Sequence, residues 1–297
     1  MKKPDTLSYF LLFGLAAIWG SAFFNYKIVL RSFDYISLAG GRLFFASAFS
    51  IIISLFLRSV NFKNFYHKDF YIFILIGLIN YVLPFTLIGM GIDQMSSGLG
   101  ALLMSAGPFY AIILSHFLTD DKFNKYKFLG TCIGFFSVCI LVYDQTYITR
   151  TTNLQSILIV MAASFFYVAG GLIIKKTLKK YNNETIVCFS MIWASLILLP
   201  FVYFFFKFEN KLIFYNESFY SLIYLGVVST AIAFYIRSKI IDKNGLVFMS
   251  QVSLLIPIFG LIFSNFFLKE TLYLSMIVSL IFLILGLFIL QKGYKKI

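Results

Sequence analysis

Charge is scarce in this chain. Only 12% of its 297 residues are Asp, Glu, Lys or Arg, whereas a water-soluble domain carries about a quarter. So few charges cannot clothe a hydrated surface, which excludes a soluble globular protein. Acids are scarcer still, 12 against 25 bases, and they fall between the apolar runs or at their ends. No carboxylate sits in the middle of a run. The three cysteines, Cys132, Cys139 and Cys188, are odd in number and show no C-x-x-C spacing. They exclude a disulfide framework and a thiolate metal site, and are expected to be small packing residues within helices. His67 and His116 are the two histidines. There is no HExxH, no Walker loop, no GxSxG and no carboxylate pair in a plausible pocket, so no enzyme, no metal and no cofactor are expected.

What the chain has instead is oil. It is 60% hydrophobic and 20% aromatic, with 38 Phe and 19 Tyr, and its mean hydropathy is +0.89. Apolar runs of roughly 20 residues, the length that crosses a bilayer as a helix, recur from end to end. They are continuous rather than alternating, which disfavours a β-barrel. The reading is an all-α membrane protein of ten transmembrane helices. The spans fall at 7–28, 36–57, 70–91, 97–118 and 127–145, then at 154–174, 185–206, 218–237, 246–268 and 273–291. The first run is too long for a signal-peptide core and lacks a convincing cleavage site, so it is expected to stay as a helix.

The net charge of +13 does not point to nucleic acid, because the bases form short clusters between the apolar runs. With the N-terminus inside, Lys27, Arg31, Arg150, Lys207, Lys211 and Lys269 lie on the outer side. Eighteen other bases lie on the inner side, and Arg42 lies within a span. That bias fits the positive-inside rule with both termini cytoplasmic. Topology also accounts for the basic run Lys175 to Lys180, which could otherwise hold anionic lipid headgroups. A shift of 149 residues aligns Gly77 with Gly226, Asp93 with Asp242, Pro108 with Pro257 and Asp121 with Glu270. The chain therefore reads as two halves, 7–145 and 154–291. Each half has an odd number of spans, so the two cross the membrane in opposite senses, as an inverted repeat.

LAAIWGSAFF (Leu15 to Phe24), AGGRLFFASA (Ala39 to Ala48) and the stretch from Leu83 to Leu118 resemble the EamA family of the drug/metabolite transporter superfamily. GVVSTAIAFYI (Gly226 to Ile236) and VSLLIPIFGLIFSNFFLKET (Val252 to Thr271) resemble it too. Where the family often has an acid, a base and Thr after the fourth helix, TDDKFNKYK carries Asp121 in place of Glu. Lys269, Glu270 and Thr271 fit the pattern better, and this acidic position is expected to be structural. The resemblance implies two EamA repeats around a central cavity. It also implies a secondary transporter moving amino acids or related metabolites by alternating access across the inner (plasma) membrane. With no carboxylate inside a span, uniport or exchange is favoured over carboxylate-based proton coupling. The remaining readings are a non-transporting polytopic protein, such as a lipid-modifying enzyme or scaffold, and an ion channel. The partners expected are a small-molecule solute and the lipid bilayer, with the chain a monomer or homodimer.

Arg42 is the most informative side chain. A guanidinium within a span is costly and faces the bundle interior or water. It meets an anion such as a substrate carboxylate, or it bonds backbone carbonyls, or it snorkels outward. Pro108 and Pro257 each remove a helix bond, and such breaks in corresponding positions of two halves point to a transporter site. Trp19, Asn25, Asn80, Tyr81, Ser105 and Tyr110 in the first half are cavity candidates, as are Tyr167, Thr230, Tyr235 and Gln251 in the second. The alternative for each is an interhelical hydrogen bond. Gly14, Gly20, Ala162, Ala163, Gly170 and Gly171 are expected to let helices pack closely.

Overall fold

The structure, a computed structural model, describes residues 4–61, 69–118, 122–178, 180–205 and 216–294. Ten apolar helical segments run through it. They are α1 (Thr6–Val29), α2 (Tyr35–Phe56), α3 (Phe70–Asp93), α4 (Ser97–Leu118) and α5 (Lys125–Ile148), followed by α6 (Leu154–Thr177), α7 (Asn183–Phe205), α8 (Glu217–Asn244), α9 (246–268) and α10 (Leu274–Lys292). Among the described residues, nine are long and apolar enough to cross a membrane. The long piece of α9, Val252–Leu268, is shorter and follows a four-residue turn of helix, Leu246–Met249. Large apolar side chains stud the outer surface, with Phe10 74%, Phe56 86% and Leu274 75% exposed. Such a surface belongs in lipid.

The helices begin where sequence chemistry tells them to. The side chains of Asp5, Asp34, Asn124, Asn153 and Asn216 accept bonds from the first free backbone N–H groups of α1, α2, α5, α6 and α8. These caps meet donors that lipid cannot satisfy. Glu270, from the α9–α10 connection, caps α4 across the fold. Its carboxylate accepts from the Ser97 N–H at 2.9 Å, the Ser97 hydroxyl at 2.9 Å and the Gly98 N–H at 3.2 Å. The structural role expected for this acidic position is therefore visible. Its repeat mate Asp121 lies outside the described residues.

The most extensive helix pairings run between the halves. α5 lies along α10, α1 along α9, α3 along α6 and α7, and α8 along α2. A Cβ on Gly77 in α3 would sit 2.9 Å from the Ser190 carbonyl of α7, and one on Gly226 in α8 would sit 2.8 Å from the Arg42 carbonyl of α2. These aligned glycines make the same contact twice, α3 on α7 and α8 on α2. Next to each glycine the helix widens into a π turn, at Gly77–Val82 and Val227–Ile232. The first and last described residues lie at one end of the bundle. There Lys243 pairs with Asp5 at 2.9 Å, and Asn124 donates to the Gly293 carbonyl at 2.8 Å. At that end Asp69 also holds Lys180 at 2.5 Å and accepts from the Tyr181 hydroxyl at 2.7 Å. Burial, aided by this bond to Asp69, pushes the Tyr181 phenol up to about 12.

Several expectations need correction. α8 runs on to Asn244, so Arg237 lies inside the helix and not beyond it. A helix does not stop where its apolar run stops, and the basic residues at this C-terminal end suit the helix dipole. Cys132 and Cys139 are exposed on the outer face of α5, and Cys188 is the buried one. An apolar run does not distinguish lipid-facing from buried positions. Gly20 and Gly170 do sit against neighbours, where a Cβ would come 2.5 Å from Phe259 Cβ and 2.6 Å from Asn80 Cβ, whereas Gly14 and Gly171 face open space. Pro108 does not kink a continuous helix. α4 breaks between Met104 and Gly107, and Pro108 sits in the first turn of the second piece, where its missing N–H leaves nothing unpaired.

Because lipid is as apolar as the side chains, these helices are held by close packing and interhelical hydrogen bonds. A Cβ on Gly130 would meet the Gly286 carbonyl at 2.6 Å, and one on Gly286 would meet the Gly130 carbonyl at 2.8 Å. Beside this crossing, the Ser279 hydroxyl donates to the Ser137 carbonyl. Gly130→Val and Gly286→Val are each expected to destabilise the α5–α10 pair by about 1–3 kcal/mol through overpacking, read as earlier thermal loss of the monodisperse detergent-solubilised protein. Gly171→Val, on an open face, is the control and is expected to change little.

Candidate functional site

Arg42 organises the middle of the bundle. It lies two turns into α2, and its side chain is 5% exposed. It neither snorkels nor bonds backbone carbonyls. Its Nε donates to the Thr230 hydroxyl at 2.8 Å and one Nη donates to the Tyr26 hydroxyl at 2.7 Å. The guanidinium lies over the Phe85 ring, 3.8 Å from its centroid, and 5.3 Å from that of Tyr26. Cation–π contacts of this kind reach about 2 kcal/mol when desolvated. The residues come from α1, α2, α3 and α8, so one side chain ties both halves together.

The π turns explain why these partners are available. A π turn shifts side-chain register and frees backbone groups, and such turns gather at functional sites. In the second, the Thr230 hydroxyl donates back to the Leu225 carbonyl at 2.7 Å and so turns its lone pairs toward Arg42. In the first, Asn80 and Tyr81 are turned inward, 4% and 1% exposed. Pro84 follows directly, in the first turn of the α-helical continuation.

Beside Arg42 an aromatic group forms around Phe234. The rings of Tyr81, Trp19 and Tyr167 lie 5.6, 5.9 and 6.5 Å from it. Arg237 places its guanidinium 5.9 Å from the same ring. Toward the end of the bundle that holds the chain termini, Phe234 and Tyr235 border a small cleft with Ser50, Ser54, Cys188, Glu184 and Ser238. Glu184 there is paired with Lys239 at 3.3 Å. Between α2, α7 and α8, a separate apolar cavity of about 160 Å³ is lined by Gly40, Gly41, Phe44, Ser195, Leu199 and Leu222.

Trp19, Arg42, Tyr81, Tyr167 and Thr230 are thus brought together, with Asn80 next to Tyr81 and Tyr235 on the bordering cleft. The others are placed elsewhere. The Asn25 amide donates to Ser21 of its own helix at 2.9 Å. The Ser105 hydroxyl donates to Ala101 at 2.8 Å, closing the end of the first piece of α4. Tyr110 packs on Phe135 and Phe165, away from the group. Gln251 stands at the break in α9, and Pro257 is buried within its long piece. The sequence reading missed Tyr26, Phe85, Phe234 and Arg237. Helical spacing offered a signal for three of them. Phe85 follows Tyr81 by four residues, Phe234 follows Thr230 by four, and Tyr26 follows Trp19 by seven, each on the same helix face.

Thr230→Val removes the acceptor of the Arg42 Nε and leaves a charged donor unmatched. This is expected to destabilise the protein by about 1–3 kcal/mol, while Thr230→Ser stays near the parent. Thermal unfolding of the purified variants in one detergent checks both.

The family model described as the EamA-like transporter family matches residues 6–143 and 154–291. A protein of Archaeoglobus fulgidus named an uncharacterized transporter is 24% identical over 98% of this chain and 99% of its own length. A protein of Escherichia coli K12 named a probable amino-acid metabolite efflux pump is 23% identical over 95% of this chain and 93% of its own. A solved crystal structure superposes over 96% of both chains with a TM-score of 0.67 at 13% identity, a likeness of fold alone. Two matched segments, spanning all but the chain ends and one short connection, settle the kinship, and this multi-pass membrane protein belongs to the EamA-like transporter family.

Proposed function

We propose that the protein is a secondary carrier that moves small organic metabolites, amino acids or related solutes, across the plasma membrane by alternating access. The halves 7–145 and 154–291 are the two moving repeats, both termini are cytoplasmic, and no catalytic chemistry is assigned. The observation that carries the reading is the buried polar–aromatic group at the seam. Trp19, Arg42 and Tyr81 come from one half, and Tyr167, Thr230 and Phe234 from the other. A site built from both halves changes access when they rock against each other. The E. coli relative's name, which refers to amino-acid metabolites, supports this solute class. The excess of bases at the end that holds both termini supports the orientation.

Uptake of candidate amino acids into liposomes containing the purified protein tests the reading. Trp19→Ala and Tyr81→Ala are expected to lower the initial rate several-fold more than they lower the yield of folded protein. Parallel loss of rate and yield would mean that these rings only pack.

A further inference from the structure

We infer that the carried solute presents a carboxylate to Arg42, an inference that rests on the carrier reading above and names the solute's chemistry. Arg42 is buried, yet both of its hydrogen-bond partners, Tyr26 and Thr230, are neutral hydroxyls. Among the described residues the ion pairs lie at the two ends of the bundle: Arg31 with Glu217 at one, and Lys180, Lys239 and Lys243 with Asp69, Glu184 and Asp5 at the other. None supplies a counter-charge to Arg42. A desolvated cation without one is expensive to keep, and hydroxyls with one aromatic face offset that only in part.

Arginine carries five N–H donors in a planar fork, and these two bonds use two of them. The fork suits a carboxylate, which it can grip through two parallel bonds. The surroundings reinforce the sign. Arg237 approaches the same aromatic group, its guanidinium 5.9 Å from the Phe234 ring, so the seam carries a second positive charge in a medium of low dielectric. They also indicate the rest of the solute. Phe85 lies against the guanidinium, and Trp19, Tyr81 and Tyr167 cluster on Phe234, one turn beyond Thr230, which suits a monocarboxylate with an apolar body, such as an amino acid with an aliphatic or aromatic side chain. Because Arg42 binds Thr230 across the seam, a carboxylate that takes over its fork also loosens one tie between the halves.

The test compares L-leucine and L-phenylalanine with leucinamide and phenylalaninamide, which keep the shape and lose the carboxylate. Initial entry into proteoliposomes is measured after subtracting entry into protein-free liposomes. The acids are expected to enter at least about tenfold faster than the amides. Arg42→Gln is expected to erase that preference, and Arg42→Lys, which keeps the charge without the fork, to retain part of it. This comparison needs no variant to be decisive, so poor folding of Arg42→Gln, checked by size exclusion, leaves the parent ratio and Arg42→Lys to settle the matter. Amides entering as fast as the acids would overturn the inference and leave the carrier reading standing. So would a well-folded Arg42→Gln that keeps the preference. Entry of neither acids nor amides would count against the carrier reading itself, and the inference would fall with it.

Discussion

A guanidinium held inside hydrocarbon constrains everything around it. Placing arginine at the centre of a lone membrane helix costs about 2.5–3.5 kcal/mol on insertion scales, and the fold must meet that cost with partners. It does so with hydroxyls from α1 and α8 and a ring from α3. Each partner needs its own support. Thr230 is turned by a π turn, and that turn adjoins Gly226, whose missing side chain lets α8 close on α2. The charge, the widened helix and the glycine contact form one unit, and it straddles the seam between the halves.

The same geometry recurs in mirror sense around α3 and α7, where Gly77 and the π turn at Gly77–Val82 turn Asn80 and Tyr81 inward. The repeat is of shape more than of chemistry, since the position aligned with Arg42 is Met191, a buried apolar side chain. On the carrier reading proposed above, two near-equivalent scaffolds flank one asymmetric charge. In the proposed mechanism the scaffolds exchange roles while the charge faces the solute. The polar ties at the two ends differ. Asp69 with Lys180 and Tyr181 joins the halves at one, and Glu270 on Ser97 and Gly98 joins them at the other. Salt bridges and caps of this sort are individually modest, which is compatible with the proposed rocking of the halves.

The membrane class and the ten spans were legible because hydrocarbon imposes them: a run of apolar residues with capped ends has one solution in lipid. The aligned glycines and Arg42 were legible for the same reason, as departures that lipid does not tolerate without cause. The π turns were not, because nothing in GLINYV or VVSTAI marks an i→i+5 bond. Without them the inward direction of Tyr81 and Thr230 could not be derived. The break in α4 was displaced from Pro108 because proline tolerates a first turn as readily as it causes a kink. Cys132 and Cys139 were read as packing residues because hydropathy does not report which face of a helix meets lipid. Tyr26 and Phe234 were hidden among many aromatics, and spacing from Trp19 and Thr230 was the only clue to them.

The central claim is that the two halves rock about the buried seam. Spin labels at Ser59 and Asn182 report the halves at the end holding the termini, where the Asn182 amide reaches the Ser59 carbonyl at 3.0 Å. Labels at Arg31 and Glu217, paired at 3.8 Å, report the opposite end. Pulsed dipolar distances for each pair, measured in lipid nanodiscs on a background free of native cysteines, are predicted to show two populations that shift in opposite directions when an amino acid mixture is added. A single unchanging distance at both ends, with and without the mixture, would contradict the account.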